Sequence, residues 1–479
     1  MQTLREITTR GGLYLGLRYG FGIVIGLGNM LVLTWWIGPH AYGVFVTAVG
    51  ITTFLASLAR AGADTYLVRM ERAPSERLYQ VAVTLIGWNA VALMVVGAGI
   101  VPLLVRWFGS REFVAPYFAL LATIPLAGFA GPPTAKLERA LDFGKVAGIE
   151  LGGQMLALLV SLTLAWRRMG VWAPVTGLLA WQAWAMVAAL RAARLTPRFV
   201  FDRREAKAML SFGIGYTMSL RAWQLRTLVN PLIVGRFAGA ESVAFVGLAI
   251  RIAEGLGFVR IAAGRLAIAA LSRMQNDSIK LRAGLQKALE LQVMTLGPLL
   301  CIFAAAGPFI VGRLIGMRWL PSLAIYPWVA AAVLVNSVYN LQASALFVLG
   351  EQWAVFRAYA VQVVLLAVGT WLFLPRWGIV GYGCADLLAC GGYALLHAKV
   401  AERIQLSYRR LASWTFVLLL PLLSASTSHR RVGVLLWAPM LLLVVIEAGR
   451  RWRGRGRRLE NVPSGSGNHQ ELVLASTGD

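Results

Sequence analysis

Cysteine is nearly missing from this chain of 479 residues. Cys301, Cys384 and Cys390 all fall in apolar stretches, so no disulfide framework is implied. Histidine is almost as rare, and His40, His397, His429 and His469 are scattered without the spacing of a metal site. Charged residues amount to only 14% of the sequence, which leaves no room for a large water-soluble core. The glycine–lysine phosphate loop of nucleotide-driven machines is absent, which argues against ATP as a direct energy source. The opening MQTLREITTRGG lacks the apolar core and small-residue cleavage site of a secretory signal, so the first apolar span is expected to stay in the mature protein.

Hydrophobic residues are abundant instead. They make up 58% of the chain and recur in runs of 18 or more, each long enough to cross a bilayer as a helix. The pattern predicts an all-α polytopic membrane protein with about fourteen spans. They are expected near 13–37, 41–67, 79–105, 115–135, 146–166, 171–190 and 209–234, then 243–270, 288–311, 324–349, 357–375, 380–397, 411–427 and 432–448. The division reads as a first lobe over 1–190, a linker over 191–208 and a second lobe over 209–400. An additional helix pair at 401–448 and a basic, then Gly/Ser-rich tail at 449–479 complete it.

Basic residues outnumber acidic ones by 46 to 21. Ten of the 46 fall in turns on one side of these spans and most of the rest on the other. That asymmetry places both termini in the cytoplasm. The run GRRWRGRGRR at 449–458 then faces anionic lipid head groups rather than nucleic acid.

Several arginines lie inside the apolar runs. Arg221 and Arg226 interrupt 209–234, and Arg18 and Arg251 interrupt two other spans. A charge near the bilayer centre costs about 2.5–3.5 kcal/mol on insertion scales, so it usually faces water or a partner. The set predicts a cationic cavity and an anionic passenger. Arg60, Arg260 and Arg265 lie where a long side chain can snorkel to the interface. An internal repeat sharpens the pattern: laid over itself at an offset of 201, the chain brings Gly38 onto Gly239 and Arg18 to within two residues of Arg221. Each second helix also holds an acid within a turn of an arginine, Arg60 with Asp64 and Arg251 with Glu254, on one helix face.

Residues 33–69 (LTWWIGPHAYGVFVTAVGITTFLASLARAGADTYLVR), 137–154 (LERALDFGKVAGIELGGQ) and 210–256 resemble the oligosaccharide flippases, the Wzx-like polysaccharide transport proteins of the MOP/MATE-like superfamily. The similarity runs over roughly residues 5–400. It implies two pseudo-symmetric six-helix lobes around a central cavity lined by the first two helices of each. The implied cargo is a polyprenyl-pyrophosphate-linked oligosaccharide, moved across the bacterial inner membrane by alternating access for cell-surface polysaccharide export. Membrane lipids and a polysaccharide polymerase are the implied partners. No cofactor is expected beyond a coupling proton or sodium ion, or the membrane potential. Spans thirteen and fourteen exceed the family's common twelve-helix plan and suggest a peripheral pair.

Guanidinium suits a pyrophosphate because its planar fork donates two parallel hydrogen bonds and keeps its charge. Arg221, Arg226, Arg251 and Arg18 are therefore the candidate pyrophosphate clamp. Arg60, Trp223, Gln224 and Asn230 are candidates for cavity or sugar contact, and Asp64 and Glu254 for ion coupling or ion pairing. Two other readings compete. A cation-coupled multidrug exporter would call for an acidic cavity. A membrane polymerase or ligase would need a general acid/base or metal site on a sizeable outer loop, and the loops here are short.

Overall fold

The computed structural model describes residues 4–70, 72–257, 278–404, 406, 408–424, 437–440 and 442. The side chains of 4–21, 23, 24, 27, 30–32, 213–220, 278 and 409 lie outside that description. So do Arg260, Arg265, most of the expected fourteenth span and the tail. Among the described residues there are helices and no strands, and nine helices are long and apolar enough to cross a membrane. The chain is a multi-pass membrane protein.

The first lobe opens with α1 (Leu4–Ala59), which is two spans joined at a kink. Gly38 makes the kink, with φ 75° and ψ 170°, a region essentially reserved for glycine. Pro39 restarts the helix, its fixed φ suiting a first turn. Then follow α2 (Ala63–Arg69), α3 (Glu76–Gly99), α4 (Val101–Phe108), α5 (Val114–Leu121), α6 (Thr123–Arg139), α7 (Phe143–Trp166) and α8 (Trp172–Ala192). The second lobe comprises α9 (Arg203–Val229), a π-helical turn at Asn230–Val234, and α10 (Gly235–Leu256). It continues with α11 (Ser278–Leu314), α12 (Ser322–Val348), α13 (Gln352–Trp377), α14 (Val380–Ala389) and α15 (Tyr393–Arg403). Helix α16 (Arg409–Ser424) packs on α11 through Leu418, which covers Gly297.

Gly239 breaks α10 with φ 77° and ψ 177°. That conformation is nearly the one at Gly38, so the offset of 201 recurs in the backbone as well as in the letters. The two kinks lie on one side of the membrane layer, called here the turn side, and the segment joining the lobes lies on the other, the linker side.

The lobes close on each other at the turn side. A Cβ on Gly43 would overlap the carbonyl of Ala240, and one on Gly50 would stand 2.9 Å from Pro231. Small residues let helix backbones approach in this way. Around that contact three side chains donate across the lobe boundary. Trp107 Nε1 reaches the Leu232 carbonyl at 2.8 Å, Trp319 Nε1 reaches Thr34 at 3.0 Å, and Arg318 Nη2 reaches Trp35 at 2.9 Å.

The linker is short and fastened. Buried Gln80 on α3 donates to the Thr196 carbonyl (2.8 Å) and accepts from Arg198 N (2.7 Å). Thr84 Oγ1, one turn on, accepts from Val200 N at 2.8 Å. Asp202 then caps α9, accepting from Arg204 N at 3.0 Å and Glu205 N at 3.3 Å. An N-terminal carboxylate also complements the helix dipole.

Candidate functional site

The second arm of α1 ends in a sharp turn. Ala61 and Gly62 both take positive φ, 48° and 76°, which swings Asp64 back beneath Arg60. The two side chains meet at 3.9 Å, with Arg60 44% and Asp64 27% exposed. Asp64 packs against α6 beside Gly131, where a Cβ would stand 3.6 Å from the carboxylate, an ordinary contact distance. At this point a pocket of about 230 Å³ separates the lobes, lined by Ser57, Arg60, Asp64 and Thr65 of the first and Arg221 and Gln224 of the second. Arg221 and Gln224 are three apart on α9 and therefore share a face. Arg60, Asp64, Arg221 and Gln224 thus gather in one interlobe pocket, although the first two stand about 160 residues before the others.

Arg226 points elsewhere. Five residues carry a helix about 140° round its axis, so Arg221 and Arg226 cannot share a face. Arg226 Nη2 meets Asp386 Oδ1 of α14 at 2.5 Å, with the arginine 15% and the aspartate 1% exposed. Its guanidinium lies over the Trp223 ring, 5.0 Å from the centroid, and Trp223 leans on Tyr359 at 5.2 Å. The second oxygen of Asp386 is buried with no hydrogen-bond partner among the described residues. Arginine, aspartate and indole form a group internal to the second lobe, beside the pocket rather than in it.

The other candidates are dispersed. Arg251 Nη1 donates to the Tyr42 hydroxyl at 2.6 Å and stacks on that ring at 5.6 Å. This pairing crosses between lobes, and no ion pair joins Arg251 to Glu254 among the described residues. Asn230 is buried and donates to the Val243 carbonyl at 3.2 Å, tying the π turn to α10. Pro231 explains the turn, since its missing N–H interrupts the regular ladder. The side chain of Arg18 lies outside the described residues.

Counting about 1.5 Å of helix per residue from the Gly38 and Gly239 kinks, Arg226, Arg221 and Arg60 lie roughly 20, 27 and 33 Å toward the linker side. The cations therefore rise in steps from the linker-side mouth to the middle of the layer. A group entering from the linker side meets Arg60 and Arg221 first. Tyr66 on α2, set edge-on to Phe212 on α9 at 5.5 Å, narrows the way beneath them.

Three polar residues had no place in the reading of the arginines. Asp386 is one. Glu138 and Glu150 are the others, lining a separate cavity in the first lobe together with Gln154, Trp181 and Gln182. A carboxylate in an apolar run is as costly as an arginine, a signal that Asp386 and Glu150 carry; Glu138 stands among charged neighbours in KLERALD at 136–142 and carries none.

Comparison with known proteins agrees with this architecture. The lipid II flippase MurJ, in an inward closed conformation, superposes with a TM-score of 0.75 over 92% of this chain and 99% of its own, at 14% identity. An inward-facing multidrug resistance MATE family transporter of the MOP superfamily superposes at 0.54 over 82% and 95% of the two chains, also at 14% identity. These likenesses concern the fold. In sequence, the succinoglycan biosynthesis transport protein ExoT of Rhizobium meliloti (strain 1021) is 23% identical over 344 residues, 68% of this chain and 67% of ExoT. The teichuronic acid biosynthesis protein TuaB of Bacillus subtilis (strain 168) is 26% identical over 179 residues, and the match spans only 36% of TuaB. Residues 32–324, from the second half of α1 through the start of α12, match the family model for polysaccharide biosynthesis proteins, and the chain belongs to that family.

Proposed function

We propose that this protein carries a polyprenyl-pyrophosphate-linked oligosaccharide from the cytoplasmic to the outer leaflet of a bacterial inner membrane, with the linker side and both termini in the cytoplasm. One observation carries the reading. Arg60 of one lobe and Arg221 of the other line a single pocket on the linker side, while the lobes are closed on the turn side. A pyrophosphate entering that pocket finds guanidinium groups from both lobes, and binding it draws the lobes together.

Charged oxygens and hydroxyls left bare in hydrocarbon cost several kcal/mol each, so the head group needs such a lined route while its polyprenyl tail stays in lipid. Rocking of the lobes then exchanges access from one side to the other around the site. A potential positive outside assists an anionic head group by about 2.3 kcal/mol per charge per 100 mV. Coupling to a proton or sodium ion through Asp64 would add to it. The protein acts as a transporter rather than an enzyme, handing its cargo to a polymerase outside.

The test is to replace Arg221 by alanine. Membrane insertion is expected to be unchanged and transport lost, with lipid-linked oligosaccharide collecting in the cytoplasmic leaflet. Normal export by that variant would refute the clamp. A truncated glycan, in place of a misplaced complete one, would point to an enzyme.

A further inference from the structure

The segment joining the lobes carries its aromatic rings outward. Connecting segments run through water over a protein surface, yet Phe199 is 75% and Phe201 67% exposed. Leu195 and Val200 face the other way, into the packed cluster that holds Leu78 and Met209. Arg198 and Val200, two apart, both turn their N–H groups to α3, as an extended chain does, and its side chains alternate between two faces. Pro197 suits that conformation and biases Thr196 toward it.

The level of this strap in the membrane can be counted. A Cβ on Gly87 of α3 would lie 3.6 Å from the Phe199 ring. Phe108, twenty-one residues on, stands against Gly235 beside the turn-side kink. Twenty-one residues of helix rise about 32 Å, close to the thickness of the hydrocarbon layer. Phe199 therefore sits at the linker-side edge of the hydrocarbon. Trp88, next to Gly87 and 69% exposed, occupies the same level, where aromatic side chains anchor membrane proteins. Arg194 follows α8, itself a span of 21 residues, and so reaches the same edge.

We infer that the interlobe strap is a docking surface for anionic phospholipid of the linker-side leaflet, with Phe199 and Phe201 at the acyl boundary and Arg194 and Arg198 on the head groups. Nothing in it depends on the identity of the cargo. Charge selects the occupant. Residues 191–208 hold six basic side chains against two acidic ones, and both acids turn inward. Asp202 caps α9 and lies 3.6 Å from Arg77, and Glu205 lines a pocket with them between α3 and the start of α9. Arg194 and Arg198 are exposed. Guanidinium meets a phosphate through two parallel hydrogen bonds, and a net negative head group adds an attraction that a zwitterionic one lacks. Apolar rings in the boundary and cations on the head groups are the two terms that hold amphipathic segments at a membrane surface. The strap that tethers the lobes to α3 thereby gains a second hold, in the leaflet itself.

The experiment uses the full chain carrying Phe201→p-benzoylphenylalanine, and separately Phe199→p-benzoylphenylalanine. Each is placed in nanodiscs of equal phosphatidylcholine and phosphatidylglycerol with matched acyl chains. Illumination crosslinks the ring to whatever covers it, and mass spectrometry of the intact protein identifies the adduct. Lipid adducts are expected at both positions, with phosphatidylglycerol at least threefold over phosphatidylcholine. Leu159→p-benzoylphenylalanine, at a 58% exposed site on α7, sets the baseline and should take the two lipids about equally. Arg194→Gln together with Arg198→Gln should bring the ratio at position 201 down to that baseline without abolishing lipid adducts. Millimolar inorganic phosphate should leave the ratio unchanged. Adducts to protein alone, or none to lipid at either position, overturn the docking surface. Equal adducts of the two lipids, or the same phosphatidylglycerol excess at position 159, overturn the preference for anionic head groups and the inference with it. So does a ratio levelled by phosphate, which would assign the arginines to a soluble anion.

Discussion

Consider removing the carboxylate of Asp386. Its partner Arg226 would remain in the second lobe, 15% exposed, stacked on Trp223 and without its ion-pair partner. Breaking a buried ion pair from one side costs about 3–5 kcal/mol, because the surviving charge is left uncompensated. The indole offsets part of that, on the order of 0.5–2 kcal/mol for a cation–π contact. Asp386→Leu should therefore destabilise the protein by about 3 kcal/mol, and Arg226→Met by a similar amount, since it strands a carboxylate that is 1% exposed. Removing both charges together leaves nothing stranded, and apolar replacement of a whole buried pair is often neutral. The double variant should recover most of the loss. Detergent-solubilised protein heated and assayed by size-exclusion fluorescence reports all three. If the double variant is as unstable as the two single losses added, the pair is not coupled and the reasoning fails. Stability with little transport in the double variant would give the pair a second role, restraining Arg226 until a stronger anion arrives.

Three further outcomes follow from local geometry. Gly239 has open space around its missing Cβ but φ 77°, so Gly239→Ala should cost about 1–3 kcal/mol from backbone strain alone, read as a drop in melting temperature. Gln80→Ala removes two hydrogen bonds from the linker and should expose Arg194 and Arg198 to trypsin several times faster, while resistance unchanged from wild type would show the linker held by other means. Glu351 accepts from Arg403 Nη2 at 2.6 Å and lies 3.7 Å from Lys399; chiefly through the Arg403 hydrogen bond its carboxyl titrates below the usual range. A lowered folded-state pKa gives stability that is present above the unfolded value, about 4.3, and is lost as pH falls through the folded one. Melting temperature between pH 5 and 8 should therefore be independent of this group, and Glu351→Gln should flatten only the acid limb of the profile.

The spans and the repeat were legible because they are local. Apolar runs, a glycine before Pro39 and a second glycine 201 residues on require no knowledge of tertiary pairing, and both glycines take the same unusual conformation. The arginines were legible as anomalies, but their directions were not. Arg221 and Arg226 look alike on a hydropathy profile, yet their angular separation on α9 sends one to the interlobe pocket and the other to an aspartate 160 residues away. No spacing rule links residues so distant. Asn230 reads as polar and therefore as a sugar contact, whereas the Asn-Pro pair marks an interrupted helix whose amide is needed to tie the chain. The carboxylates of Asp386 and Glu150 were visible as letters in apolar stretches, whereas Glu138 lies among charged residues at 136–142 and gave no such signal.

The fastened linker sets a limit on motion. Val200 is hydrogen-bonded to α3, and α9 begins only three residues later, at Arg203. Three fully extended residues reach about 10 Å. The start of α9 can therefore travel no farther than that from its anchor before a hydrogen bond must break. The strap acts as a mechanical stop: it allows the lobes to tilt and denies them separation, so the size of the opening on either face is governed by a tether lying outside the pocket.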